Sequence, residues 1–172
     1  MKNTMSREEW LTWAHPLTAQ LECVAGTAQL TVLSQGWQLA DAWESAQLDM
    51  QGIRVFRREI IISDGKAPCW YARTIIPEAT YIAHTSLFQG LSGKMTVGDL
   101  IFRTPSVQRI HLTQPLLDLS LKAALIAIGY MPSYAQMRFS TMRVFASDAA
   151  ASQMHCFYLA EIFLNGLARY TL

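Results

Sequence analysis

Two apolar runs on either side of an Asp-Gly pair set the expected architecture, because their side chains alternate with the two-residue period of a half-buried strand. Residues 53–63, then Asp64-Gly65, then residues 68–76 read as a β-hairpin closed by a tight turn, with Pro77 ending the second strand. The alternation puts Tyr71, Arg73 and Ile75 on one side of that strand and Trp70, Ala72 and Thr74 on the other. Residues 106–113, 137–145 and 154–165 read as further strands. The last of these carries His155, Phe157, Leu159, Glu161 and Phe163 on a single face. An earlier strand is expected over residues 36–47, where Ala40, Ala42 and Ala46 suit a helix equally.

Helical spacing runs from Ser6 to Ala25, opened by Ser6 and Glu9 in capping-box register and divided or restarted at Pro16. A short turn or helix is expected over residues 26–33, and a buried helix over 115–130. These elements predict one α+β domain over residues 1–172. It is a mostly antiparallel sheet built around the hairpin and the last strand, with segregated helices covering the sheet's apolar face.

Composition narrows the class of partner. At 172 residues the chain encloses one substantial core, and 51% hydrophobic with 16% charged residues excludes a disordered or purely electrostatic binder. Fourteen Lys or Arg against thirteen Asp or Glu give no field that selects nucleic acid. Three cysteines, Cys23, Cys69 and Cys156, have no short metal-ligand spacing and an odd count, which points to a reducing compartment and a cytoplasmic protein. The opening residues have no signal-peptide core, and the most apolar stretch, 116–130, is too short to span a bilayer and contains Asp118 and Lys122, so no stable membrane insertion is expected. His15, His84, His111 and His155 form no metal motif, and neither a metal nor an organic cofactor is expected.

Two charged residues interrupt apolar strands and need a partner. Arg73 either receives a ligand carboxylate, lies along an edge strand, or pairs with Glu59 on the neighbouring strand. Glu161 sits among large apolar groups, where it serves as a proton donor or ligand contact, or pairs with Arg138 or Arg143 across the sheet. The turn-rich stretch 92–99 does not match a phosphate loop. Main-chain N–H groups near Val97 remain anion donors, while Gly93 and Gly98 suit a structural turn.

Three segments together resemble chorismate pyruvate-lyase. They are Arg58-Glu59-Ile60-Ile61-Ile62 with Trp70-Tyr71-Ala72-Arg73-Thr74-Ile75-Ile76-Pro77, the loop from Gly93-Lys94 through Phe102, and Leu159-Ala160-Glu161-Ile162-Phe163-Leu164, covering about residues 17–164. The resemblance implies a chorismate-lyase-like fold with a buried site beneath flaps. It also implies a monomeric, cofactor-independent carbon–oxygen lyase that cleaves chorismate to 4-hydroxybenzoate and pyruvate, in ubiquinone or related aromatic biosynthesis in bacteria. It gives Arg73 the ring carboxylate, Val97 a main-chain contact, Glu161 the hydroxyl end and Thr27 a flap contact, with Arg73 and Glu161 as catalytic residues. The partner is then chorismate or a related aromatic carboxylate. The chain departs from the family pattern at Gln136-Met137-Arg138-Phe139-Ser140, which keeps one of a usual arginine pair, leaving Arg138, or else Arg143, to supply the charge. The first flap at residues 25–28 and the longer stretch 116–132 also depart from it. A non-catalytic small-molecule binding or sensor protein of the same fold is the competing reading.

Overall fold

In the computed structural model, which describes residues 4–91, 93, 95–145 and 154–172, six strands form one antiparallel sheet in the order β1-β2-β3-β6-β5-β4. The strands are β1 (Gln29–Leu39), β2 (Arg54–Ser63), β3 (Pro68–Pro77), β4 (Val107–Thr113), β5 (Arg138–Val144) and β6 (His155–Phe163). β3 and β6 lie at the centre, which is why their sequences are the most continuously apolar: both faces of each are covered.

The hairpin falls where the apolar runs place it, but its turn is longer than a two-residue link. Ser63 pairs with Pro68, and the Asp64 side chain accepts hydrogen bonds from the main-chain N–H of Lys66 and Ala67, both at 2.8 Å. Gly65 takes the positive φ of 81° that this loop demands. Tyr170 and Arg169, at the end of a 3₁₀ segment (Asn165–Tyr170), both bond to the other Asp64 oxygen at 2.6 Å. That segment lies against the start of β3 so closely that a Cβ on Gly166 would stand 2.3 Å from the Pro68 carbonyl oxygen.

Two helices open the chain. α1 (Arg7–Thr12) begins with the expected Ser6–Glu9 capping box, and α2 (Leu17–Ala25) follows Pro16. The anticipated turn or helix over 26–33 and strand over 36–47 are displaced. β1 already starts at Gln29 and stops at Leu39, and residues 42–48 form helix α3 (Ala42–Leu48). Asp41 and Glu44 make a second capping box at its start, worth about 1 kcal/mol, and the alanines that follow favour helix. The expected long buried helix over 115–130 is shorter. After α4 (Glu78–Ala83), α5 (Thr85–Gln89) and α6 (Val97–Arg103), α7 covers only Leu119–Ala127, and it buries Leu121 and Leu125 while Leu119 and Ile126 stay exposed.

Helices cover both sheet faces rather than one. α1, α2, α5 and α6 enclose a core with Ile60, Ile62, Trp70, Phe157 and Leu159. α3 and α7 enclose a second with Ile61, Tyr71, Ile75, Phe139 and Ile162. Each fully buried side chain of this kind contributes roughly 1.5–3 kcal/mol, which holds the helices in place without long helical segments. No helix among the described residues is long and apolar enough to cross a membrane.

Candidate functional site

The sheet separates the two charged residues that the sequence singles out. Arg73 projects with Tyr71 and Ile75 into the α3 side, whereas Glu161 projects with Leu159 and Phe163 into the side covered by α1, α2 and α6. Adjacent strands place Ala72, not Arg73, opposite Glu161.

On the α3 side Arg73 is fully engaged. Its guanidinium bonds Asp41 at 2.8 Å and Glu59 at 3.1 Å, reaches Glu44 at 3.4 Å, and donates through Nε to the Tyr71 hydroxyl at 2.8 Å. Arg57 completes the network through two bonds to Glu44, and Tyr71 donates to Glu59. Burial works against ionisation of Glu59, but hydrogen bonds from Ser34 and Tyr71 and the Arg73 charge outweigh it and hold its carboxyl below the usual range. Burial likewise opposes the Arg73 charge, yet these partners raise its pKa. Arg73 thus makes the Glu59 pair anticipated for it and ties α3 to the hairpin.

The opposite side holds a small cavity. About 30 Å³ is lined by Pro16 and Leu17 at the α1–α2 connection, Thr96 and Val97 at the start of α6, and Arg109 and Glu161 from the sheet. That is room for about one water molecule, against the several hundred Å³ of an ordinary ligand site. An outer groove of about 710 Å³ shares Pro16, Thr18, Ile62 and Thr96 with it and leads to solvent.

Arg109 and Glu161 line this cavity, and two further guanidinium groups, those of Arg138 and Arg58, lie behind its lining. Arg138 is wholly buried and its Nε stands 3.2 Å from Glu161 Oε2, the cross-sheet pair that the register of β5 and β6 dictates. The same guanidinium donates to the carbonyls of Trp10 at 2.9 Å and Trp13 at 3.0 Å. Arg109 donates to the Ala14 carbonyl at 3.1 Å. Arg58 donates to the Met95 carbonyl at 2.9 Å and the Gly93 carbonyl at 2.6 Å. Burial pulls the pKa of Arg58 down, and it does the same to Arg109, where Arg138 adds to the effect and Glu161 opposes it. Buried polar atoms without hydrogen-bond partners concentrate here: Nε of Arg58, Arg109 and Arg138, Ser140 Oγ and Glu161 Oε2.

Val97 and Glu161 therefore line one cavity with Arg138 behind them, and Arg73 is outside it. Thr27 lies between α2 and β1, beside the Gly65 turn, and is not part of the lining. Ser92 and Lys94 of the anticipated turn lie outside the described residues. Arg58 and Arg109 were not singled out by sequence reasoning. Arg58 carried a usable signal, since it shares the two-residue alternation of Ile60 and Ile62; Arg109 sits beside a register shift in β4 and has none.

The fold is that of an effector domain. PhnF of Mycobacterium smegmatis superposes with a TM-score of 0.54 at 12% identity, covering 94% of this chain and 67% of that one. Its separate effector domain gives 0.51 at 14%, covering 88% and 89%. In sequence the chain is 27% identical over 149 residues to a Pasteurella multocida protein named "Probable chorismate pyruvate-lyase", which covers 84% of this chain and 86% of that protein.

These findings correct the expected chorismate-lyase-like fold. The α+β sheet with flanking helices stands, but its likeness is to the effector-domain fold. They also overturn the reading as a cofactor-independent lyase producing 4-hydroxybenzoate and pyruvate for ubiquinone synthesis. The carbon–oxygen cleavage assigned to Arg73 and Glu161 requires both at one ligand, and the sheet lies between them. Family and reaction are thus separate matters for this chain. A family model described as Chorismate lyase matches residues 1–127 of the 172, and by sequence the chain belongs to that family.

Proposed function

We propose that this chain is a non-catalytic binding domain for a small carboxylate-bearing molecule, related aromatic carboxylates being the class of first choice. The observation that carries the reading is the charge balance at the cavity: Arg109 and Glu161 line it, and behind that lining Arg138, paired with Glu161, and Arg58, bonded to the Gly93 and Met95 carbonyls, add two more cations. Three guanidinium groups in a desolvated setting favour an anion, because charge-assisted hydrogen bonds to a carboxylate are roughly twice as strong as those to a neutral acceptor. The unpartnered Nε of Arg109 offers further hydrogen-bonding capacity.

In this reading Arg109 receives the carboxylate, the main-chain N–H of Val97 adds a contact, and Glu161, positioned by Arg138, faces the polar end of the ligand. Thr27 and Arg73 act outside the contact set, Arg73 by fixing α3. The similarity to the PhnF effector domain supports binding as the role of such a cavity. Three free cysteines support a reducing cytoplasm as its location.

Isothermal titration with 4-hydroxybenzoate and with its uncharged amide tests the charge requirement. The reading expects the acid to bind at least about tenfold more tightly than the amide. Equal affinity for both, or binding of neither, rejects it.

A further inference from the structure

The three guanidinium groups around the cavity do more than await a ligand: all of them are bonded to main-chain carbonyls of the two segments that close it. Arg138 holds Trp10 and Trp13, and Arg109 holds Ala14, so the turn between α1 and α2 is fastened to β4 and β5. Arg58 holds Gly93 and Met95, fastening the approach to α6 onto β2. Pro16, Leu17, Thr96 and Val97 close the cavity at the ends of these same segments.

We propose that these contacts form an anion-operated latch, in which a carboxylate entering the cavity takes over the guanidinium of Arg109 and releases the α1–α2 turn. The proposal rests on the binding function above and states how occupancy of that site is passed to the surface. A neutral carbonyl is the weaker acceptor for a guanidinium, so a carboxylate outcompetes it wherever both reach the same donor. A pocket of about 30 Å³ holds about one water molecule, so an aromatic acid seats against Arg109 only as the lining segments shift, which couples binding to displacement. The Ala14 carbonyl is the exposed member of the set, and Arg109 the one latch group that also lines the cavity, which makes this contact the first to yield. Arg138 stays anchored, because Glu161 neutralises it from inside the sheet.

Released, the turn moves at Ala14 while α1 stays in place, because Arg138 still holds the Trp10 and Trp13 carbonyls. Trp10 of α1 packs in the core and donates through its indole to the Tyr170 carbonyl at 3.3 Å, and Met5 bridges to Thr171. Occupancy is thus signalled at the exposed Ala14–His15 segment between the two helices.

Hydrogen exchange read at the amides of residues 10–17 tests the latch, in the free protein and with 4-hydroxybenzoate, alongside equilibrium dialysis of the same samples. Arg109→Met keeps the stem packing and removes the donor. It is expected to speed exchange in this stretch about tenfold without ligand, the loss of one charged hydrogen bond. Wild type with bound 4-hydroxybenzoate is expected to show faster exchange over the same amides. Unchanged exchange in the ligand-free variant overturns the latch whatever binds. Ligand retained in dialysis with unchanged or slower exchange at residues 10–17 overturns it while leaving the binding function standing. No retention in dialysis rejects the binding function and, with it, the trigger proposed here.

Discussion

Arg138 and Glu161 face each other across the ladder between β5 and β6, Nε to Oε2 at 3.2 Å, with Arg138 wholly buried. The pair explains how a sheet interior tolerates a carboxylate between Leu159 and Phe163, and it sets the polarity of the neighbouring cavity. Glu161→Leu leaves Arg138 charged with only two carbonyl acceptors. It should lower unfolding free energy by about 3–5 kcal/mol, read from urea denaturation, because an uncompensated buried charge is costly. A loss below about 1 kcal/mol would show that the pair is not needed to hold Arg138.

Arg73→Ala tests the separation of the two faces. The substitution strips one cation from a network holding Asp41, Glu44 and Glu59, so it should destabilise by about 3–5 kcal/mol. Affinity for 4-hydroxybenzoate, titrated at a temperature where the variant is folded, should match wild type. A folded variant that loses binding would put Arg73 back at the ligand.

The hairpin and β6 were legible in the sequence because central strands must be apolar on both faces, and the Asp64-Gly65 turn and Pro77 mark the hairpin's limits. β1 was misplaced because an edge strand carries little pattern: most of its side chains are exposed. The helix after it announced itself through Asp41 and Glu44 at capping-box spacing, a signal that the surrounding alternation masked. Candidate-site residues divided by the same logic. The strand period put Arg73 with Tyr71 and Glu161 with Leu159, but which face of β3 adjoins which face of β6 is set by pairing register, which no local pattern contains.

Acid should weaken the protein through Asp64. Burial pushes its carboxyl up, but bonds from Tyr170, Ala67 and Lys66 and the Arg169 charge prevail and hold the pKa at about 2, below the 3.8 of an unperturbed aspartate. A depressed pKa contributes stability above the unfolded value that is lost as pH falls toward the folded one. The contribution, about 2 kcal/mol, should therefore be complete above pH of about 5 and vanish between about 4 and 2. Urea midpoints of wild type and Asp64→Asn across this range should converge at the acid end; a constant gap contradicts the assignment.

Thiol reactivity should rank by burial. Cys23 is exposed, Cys156 is half-buried with its pKa raised by burial, and Cys69 is buried with its thiol pushed up to about 11. With an aromatic disulfide reagent at pH 8, Cys23 should react first, Cys156 more slowly, and Cys69 only on unfolding. Early modification of Cys69 would show that the 3₁₀ segment opens in the native state.

The fate of chorismate bears most directly on the central claim, that this member of the chorismate lyase family binds without catalysing. Time-resolved mass spectrometry of purified protein mixed with chorismate should recover the compound unconverted at the uncatalysed rate. Protein-dependent release of pyruvate with 4-hydroxybenzoate, abolished by Glu161→Gln, would contradict the account.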